Sequence, residues 1–109
     1  MVQIVFIDSK GRAVTHVVHL KATADEVMWI DQNNAGPWWI TFDKPNNPYF
    51  PDPQYKPGSP FTGAPFQVPQ NGNKKSGLAT VLGTYKYHVR RDSGGQPGQI
   101  TNDPDIEIE

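Results

Sequence analysis

The stretch Gly83-Thr84-Tyr85-Lys86-Tyr87-His88-Val89 decides how the rest of the chain is read. Tyr85, Tyr87 and Val89 fall on one side of an extended backbone, and Thr84, Lys86 and His88 on the other. A period of two belongs to a strand with one buried face, and it puts His88 on the exposed side. Downstream, Asp105-Ile106-Glu107-Ile108-Glu109 alternates just as strictly, with Ile106 and Ile108 toward a core and the acids toward water. Between the two, residues 91–101 hold Gly94-Gly95 and Pro97-Gly98 and read as a turn. Immediately upstream, residues 78–82 read as a short strand.

The same pattern continues toward the N-terminus. Trp38-Trp39-Ile40-Thr41-Phe42 is a strand, preceded by the turn formers Asp31-Gln32-Asn33-Asn34-Ala35-Gly36-Pro37. Val27-Met28-Trp29-Ile30 is another strand, and residues 22–26 a short polar turn. Residues 13–21 form a strand with Val14, His16, Val18 and Leu20 on one face and Thr15, Val17, His19 and Lys21 on the other. Residues 2–7 are a β-branched run closed by the turn Asp8-Ser9-Lys10-Gly11. A chain of 109 residues with 10 Gly, 11 Pro and only 19% charged residues favours many short strands joined by turns. The reading is one all-β domain over residues 1–109, a Greek-key β-sandwich of seven or eight strands.

Residues 44–73 stand apart. Pro45, Pro48, Pro51, Pro53, Pro57, Pro60, Pro65 and Pro69 lie there, and proline removes the backbone donor that a ladder needs, so regular pairing is not expected. The segment also carries Tyr49, Phe50, Tyr55, Phe61 and Phe66, which a disordered linker would lack. It reads as an ordered, irregular excursion whose aromatics pack on the sandwich.

Composition excludes several function classes. Net charge is −1, so there is no cationic surplus to neutralise phosphates, and nucleic-acid binding is not expected. The doublets Lys74-Lys75 and Arg90-Arg91 read as solvated loop charge. With no cysteine there is neither a disulfide nor a thiolate metal site. No apolar run reaches the ~20 residues of a membrane-spanning helix. The N-terminal stretch reads as a strand rather than a leader, which places the chain in the cytoplasm as written, and in the periplasm or outside the cell if a leader has been removed.

Several segments, in order, carry a resemblance. Val27-Met28-Trp29-Ile30-Asp31 resembles a strand ending in V-T-W-x-N. Pro37-Trp38-Trp39-Ile40-Thr41-Phe42 resembles P-H-x-V-x-F, and residues 83–89 resemble G-T-Y-x-Y-x-C. These are similar to the cupredoxins. Asp103-Pro104-Asp105-Ile106-Glu107-Ile108 and Ser59-Pro60-Phe61 resemble a bacterial cupredoxin-like group that carries no copper. The resemblance implies a cupredoxin-like sandwich and shows where copper ligands would stand. Trp38 occupies the first histidine position and Val89 the cysteine position; the following loop, residues 90–99, contains neither His nor Met. A blue-copper centre needs a His₂Cys set, so electron transfer through such a centre is not expected, and no cofactor is assigned.

The remaining constellations are weak. His16 and His19 are three apart on a strand and face opposite ways, so they cannot share an ion. Asp103 and Asp105, with Asp92 and Asn102 near in sequence, offer oxygens to Ca²⁺ but lack a Gly-punctuated loop. Asp25-Glu26 sits in a turn without apolar neighbours to raise a carboxyl pKa, and no nucleophile motif is present, so no enzyme is expected. Trp38-Trp39 send one ring inward and one outward, and the cupredoxin resemblance implies that Trp38 is the inner and Trp39 the outer. Trp39, Tyr49, Phe50, Tyr55, Phe61 and Phe66 are the candidate interaction surface. The expected function is a non-enzymatic binding or structural module that self-associates or holds a protein partner. The alternatives are a metal site of another kind, for Cu or Ca, and a carbohydrate-binding sandwich with Trp39 as platform.

Overall fold

The computed structural model describes residues 1–42, 58–63, 65–91 and 104–109. Eight strands run in chain order: β1 Val2–Ile7, β2 Val17–Leu20, β3 Glu26–Asp31, β4 Trp38–Phe42, β5 Phe66–Val68, β6 Asn73–Lys75, β7 Gly83–Arg90 and β8 Asp105–Ile108. They form a three-stranded sheet, β1-β3-β6, and a five-stranded sheet, β2-β8-β7-β4-β5. β1 runs parallel to β3 and β2 parallel to β8; the other neighbours are antiparallel. The all-β sandwich read from the sequence is the observed one. No helix among the described residues is long and apolar enough to cross a membrane.

The alternation fixes which residues fill the space between the sheets. Val5 and Ile7 of β1 and Val27 and Trp29 of β3 meet Ile40 of β4, Tyr85, Tyr87 and Val89 of β7, and Ile106 and Ile108 of β8. Trp29 is the centre. Its ring lies 5.6 Å from Tyr87, 5.7 Å from Phe66 and 6.4 Å edge-on from Phe61, centroid to centroid. Such pairs add about 0.5–1.5 kcal/mol each beyond burial. Burial pushes the Tyr87 phenol up to about 12; the nearby Trp29 indole opposes this and the Asp105 charge adds to it. The Tyr87 hydroxyl and Trp29 Nε1 are both buried without a partner at hydrogen-bonding distance among the described residues.

Four local expectations are corrected. Regular pairing does occur inside residues 44–73: β5 pairs with β4 through Trp38↔Val68 and Ile40↔Phe66. Pro65 and Pro69 bracket this three-residue strand rather than interrupt it, and β5 is an edge, where proline is tolerated. The second strand is shorter than residues 13–21. Ala13 bridges Ile7, and the Val14 N–H donates to the Phe6 carbonyl, so residues 13–14 belong to the small sheet before the chain crosses to the large one. Val14 is therefore 61% exposed rather than on the core face. Residues 78–82 form no strand; Ala79 is buried and its carbonyl accepts from the Thr23 N–H, while Leu78, Val81 and Leu82 face solvent. His88 is on the outward face of β7, as alternation requires, yet only 2% exposed. It sits in the middle of the larger sheet, opposite Thr41, where the outer face is not wet.

Candidate functional site

At one end of the sandwich the turn between β3 and β4 closes around a single carboxylate. Asp31 ends β3 and is 3% exposed. Its Oδ1 accepts from the Ala35 N–H and the Trp38 indole N–H, both at 3.2 Å. Its Oδ2 accepts from the Gly36 N–H at 2.9 Å and the Asn71 N–H at 2.8 Å. Burial pushes this carboxyl up, but the four donors outweigh it and hold Asp31 below the ordinary carboxylate range. The turn formers of residues 32–37 allow the backbone to fold back onto Asp31; Asn34 is in the left-handed region at φ 56°.

Trp38 is held on every side. Its six-membered ring fills the space over Gly11, where a Cβ would lie 2.7 Å from Cζ3. The Arg91 guanidinium stacks 4.1 Å from its centroid and donates to the Ala35 carbonyl at 2.7 Å. Val89, 1% exposed, pairs with Ile40 and faces the same interior as Trp38. The two positions that the sequence resemblance marked are therefore brought to one end of the inner face.

The other predicted residues separate. Trp39 turns outward and is half-buried, beside Arg90 and Gln67 in the ladder. Phe61 and Phe66 are core residues, packed on Trp29 and each other, so they are not open to a partner. Tyr49, Phe50 and Tyr55 lie outside the described residues, as do Asp92, Asn102 and Asp103. Asp105 faces Lys86 at 3.1 Å. His16 is exposed just before β2. Arg90 is buried, with Nε donating to Thr41 Oγ1, and Arg91 is committed to Trp38, so that doublet is no solvated patch. Asp25 closes its turn by accepting from the Lys21 N–H, while Glu26 begins β3.

Two surfaces were missed by sequence reasoning. The first is the outer face of the small sheet. Val2, Ile4 and Phe6 are all exposed there, Ile4 by 47%, with Val14 alongside. Ladder partners of Ile4 and Phe6 are the half-buried Met28 and Ile30. β1 is also an edge. The Phe6 carbonyl faces away from β3 toward Val14, so Val2 and Ile4, of the same parity, direct their backbone groups outward too. The signal was present: Val2-Gln3-Ile4-Val5-Phe6-Ile7 is apolar on both faces, the mark of a strand covered on both sides. The second is His19 with Glu107 and Glu109, which adjoining parallel strands bring together.

No family profile matches the chain, and no curated protein matches it by sequence. Solved structures do match in fold. A methionine-to-glutamine variant of amicyanin in its Cu(I) form superposes with a TM-score of 0.61 at 19% identity, over 99% of this chain and 82% of that one. A proline-to-glycine variant of amicyanin, reduced at pH 4, gives 0.59 at 16% over 97% and 80%. Auracyanin B gives 0.51 at 14% over 99% and 88%. The fold is thus cupredoxin-like. The donor set does not fit the copper of those amicyanin structures: the Trp38 indole N–H donates and is already bonded to Asp31, the aliphatic Val89 side chain has no lone pair, and the sequence has no cysteine.

Proposed function

We propose that this cupredoxin-like sandwich is a non-enzymatic interaction module without a blue-copper centre, and that it self-associates through β1. The observation that supports it is the stripe Val2, Ile4 and Phe6 on an exposed edge strand. Monomeric proteins blunt their edges with charge, proline or short strands; residues 13–14 cover β1 only at Phe6 and Ile7, and the open stretch from Val2 to Val5 bears neither charge nor proline. A second copy is the partner that offers both requirements at once. Two β1 edges related by a two-fold axis pair antiparallel, joining Val2 and Ile4 backbones and merging two apolar faces into one six-stranded sheet. The packed Trp38 and Val89 positions favour a role on the surface rather than at the end of the sandwich.

Light scattering and sedimentation over a concentration series test this. Wild-type protein dimerises, and Ile4→Lys, which places a charge on the edge, shifts it to monomer with unchanged circular dichroism. A wild-type chain that stays monomeric at millimolar concentration, or an Ile4→Lys chain that dimerises as before, rules the reading out.

A further inference from the structure

We propose that His19, Glu107 and Glu109 bind a divalent first-row transition ion, Zn²⁺ being the probe of choice, across the seam between β2 and β8. The backbone brings the three together. In the parallel ladder His19 lies directly opposite Glu107. The ladder then runs one step beyond β8: the Glu109 N–H donates to the Leu20 carbonyl at 2.9 Å, and the Glu109 carbonyl accepts from the Ala22 N–H at 2.8 Å. Glu109 is therefore locked two residues from Glu107 on the same outward face.

The side-chain spacing matches a metal site. With ligand bonds of about 2.0–2.1 Å, two ligands of a tetrahedral ion stand about 3.3–3.4 Å apart. His19 Nδ1 is 3.3 Å from Glu107 Oε2 and 3.5 Å from Glu109 Oε1. All three ligand atoms lie within 4.8 Å of one another. Two carboxylates converge on one imidazole nitrogen, which has at most one proton to share between them; a single dication satisfies all three. Of the neighbouring ammoniums, Lys86 on β7 is turned to Asp105 at 3.1 Å, and Lys21, opposite Glu109 in the extended ladder, lies beyond ion-pair distance of the Glu107 and Glu109 carboxylates. One imidazole and two carboxylates suit a borderline ion such as Zn²⁺, and leave a fourth position for water. The site is far in kind from a blue-copper centre, shares no residue with Trp38 or Val89, and does not depend on the self-association proposed above.

Calorimetric titration of the untagged chain with Zn²⁺ tests it. The expected result is one saturable ion per chain, with affinity lowered at least tenfold in His19→Ala and in each of Glu107→Gln and Glu109→Gln. His16→Ala, a histidine three residues away, leaves binding unchanged. Because the ion binds the folded chain only, Zn²⁺ raises the thermal midpoint of wild type and not of His19→Ala. His19 is 61% exposed, so the metal-free variant melts like wild type. Absence of saturable binding, unchanged affinity in His19→Ala, equal affinity for Ca²⁺, or one ion per two chains each overturns the assignment.

Discussion

Asp31→Asn replaces one carboxylate oxygen by an NH₂ group and tests what holds the β3–β4 turn. In the wild type each carboxylate oxygen accepts two donors: Ala35 N–H and Trp38 Nε1–H on one, Gly36 N–H and Asn71 N–H on the other. An asparagine carbonyl can serve one pair. Its NH₂ then points two donors at two donors, whichever way the amide is turned. The Gly36 and Trp38 bonds are buried, so no orientation spares a buried donor. An unsatisfied buried donor costs about 1–3 kcal/mol, and bonds to a charged acceptor stand at the upper end. The loss for Asp31→Asn is therefore about 2–4 kcal/mol, or roughly 10–20 °C in melting temperature for a domain of this size.

Acid provides an internal control. Because the folded-state pKa of Asp31 lies below the ordinary carboxyl value of 3.8, its contribution is complete above pH 3.8. It is lost as pH falls through the lower, folded value. Asp8 and Asp25 are shifted down as well, so wild type loses stability in acid from several groups. The difference between wild type and Asp31→Asn cancels those. That difference should be greatest at pH 7 and shrink well below pH 3.8. Urea denaturation at pH 7 and pH 2.5 measures it. A deficit below 0.5 kcal/mol at pH 7, or one that is undiminished in acid, refutes the account of Asp31 as a buried four-donor acceptor.

Gly11 and Gly77 share φ of +79°, so alanine strains both backbones by about 1 kcal/mol. Only Gly11 meets a neighbour, Trp38, so Gly11→Ala should cost about 1–3 kcal/mol more than Gly77→Ala in chemical denaturation; equal losses would show that Trp38 is not wedged there. Tyr87→Phe removes a buried hydroxyl that has no hydrogen-bond partner among the described residues, so stability at pH 7 should change by less than about 1 kcal/mol. The same variant should resist alkali better. The raised phenol pKa gives wild type a stabilising contribution complete below pH 10.0 and lost as pH rises through about 12. A melting series from pH 8 to pH 12 in which both proteins fall together would contradict that.

What the sequence made legible follows from where one periodicity ruled. β7 and β8 alternate strictly, and their inner residues Tyr85, Tyr87, Val89, Ile106 and Ile108 are the ones buried. β1 carries apolar residues at both parities, so periodicity named the strand but could not say that its outer face lies open. Phe66 and Phe61 looked like surface candidates because prolines around them argued against a ladder; spacing of Pro65 and Pro69 outside the paired positions is a three-dimensional fact. His88 was assigned to water by parity alone, which ignores what covers the centre of a sheet. The pairing of His19 with Glu107 was illegible because it joins strands 88 residues apart through a parallel register that no local pattern encodes. Asp31 was read as part of a turn, and that it accepts from Asn71 across 40 residues could not be seen either.

The end of the sandwich that carries Trp38 shows how a buried anion can hold this architecture together. A metal site gathers distant segments by ligating them to one centre of charge. Here a different charge gathers them. Asp31 draws in Ala35, Gly36, Trp38 and Asn71, so the end of β3, the β3–β4 turn, the start of β4 and the loop before β6 all meet at one anion. Trp38 then carries the tie outward to Gly11 by contact and to Arg91, just past β7, by stacking. The four hydrogen bonds occupy lone pairs of the Asp31 carboxylate, and the links to Gly11 and Arg91 are contacts of the Trp38 ring. Among the described residues that end offers no free lone pair from Trp38 or Val89, whereas exposed apolar side chains on β1 and the carboxylates of Glu107 and Glu109 do have access to solvent. Selection for binding would therefore act on the exposed positions of the sheets' outer faces, and substitutions at Ile4, His19 or Glu109 should alter association or metal uptake without moving the melting temperature of the metal-free monomer.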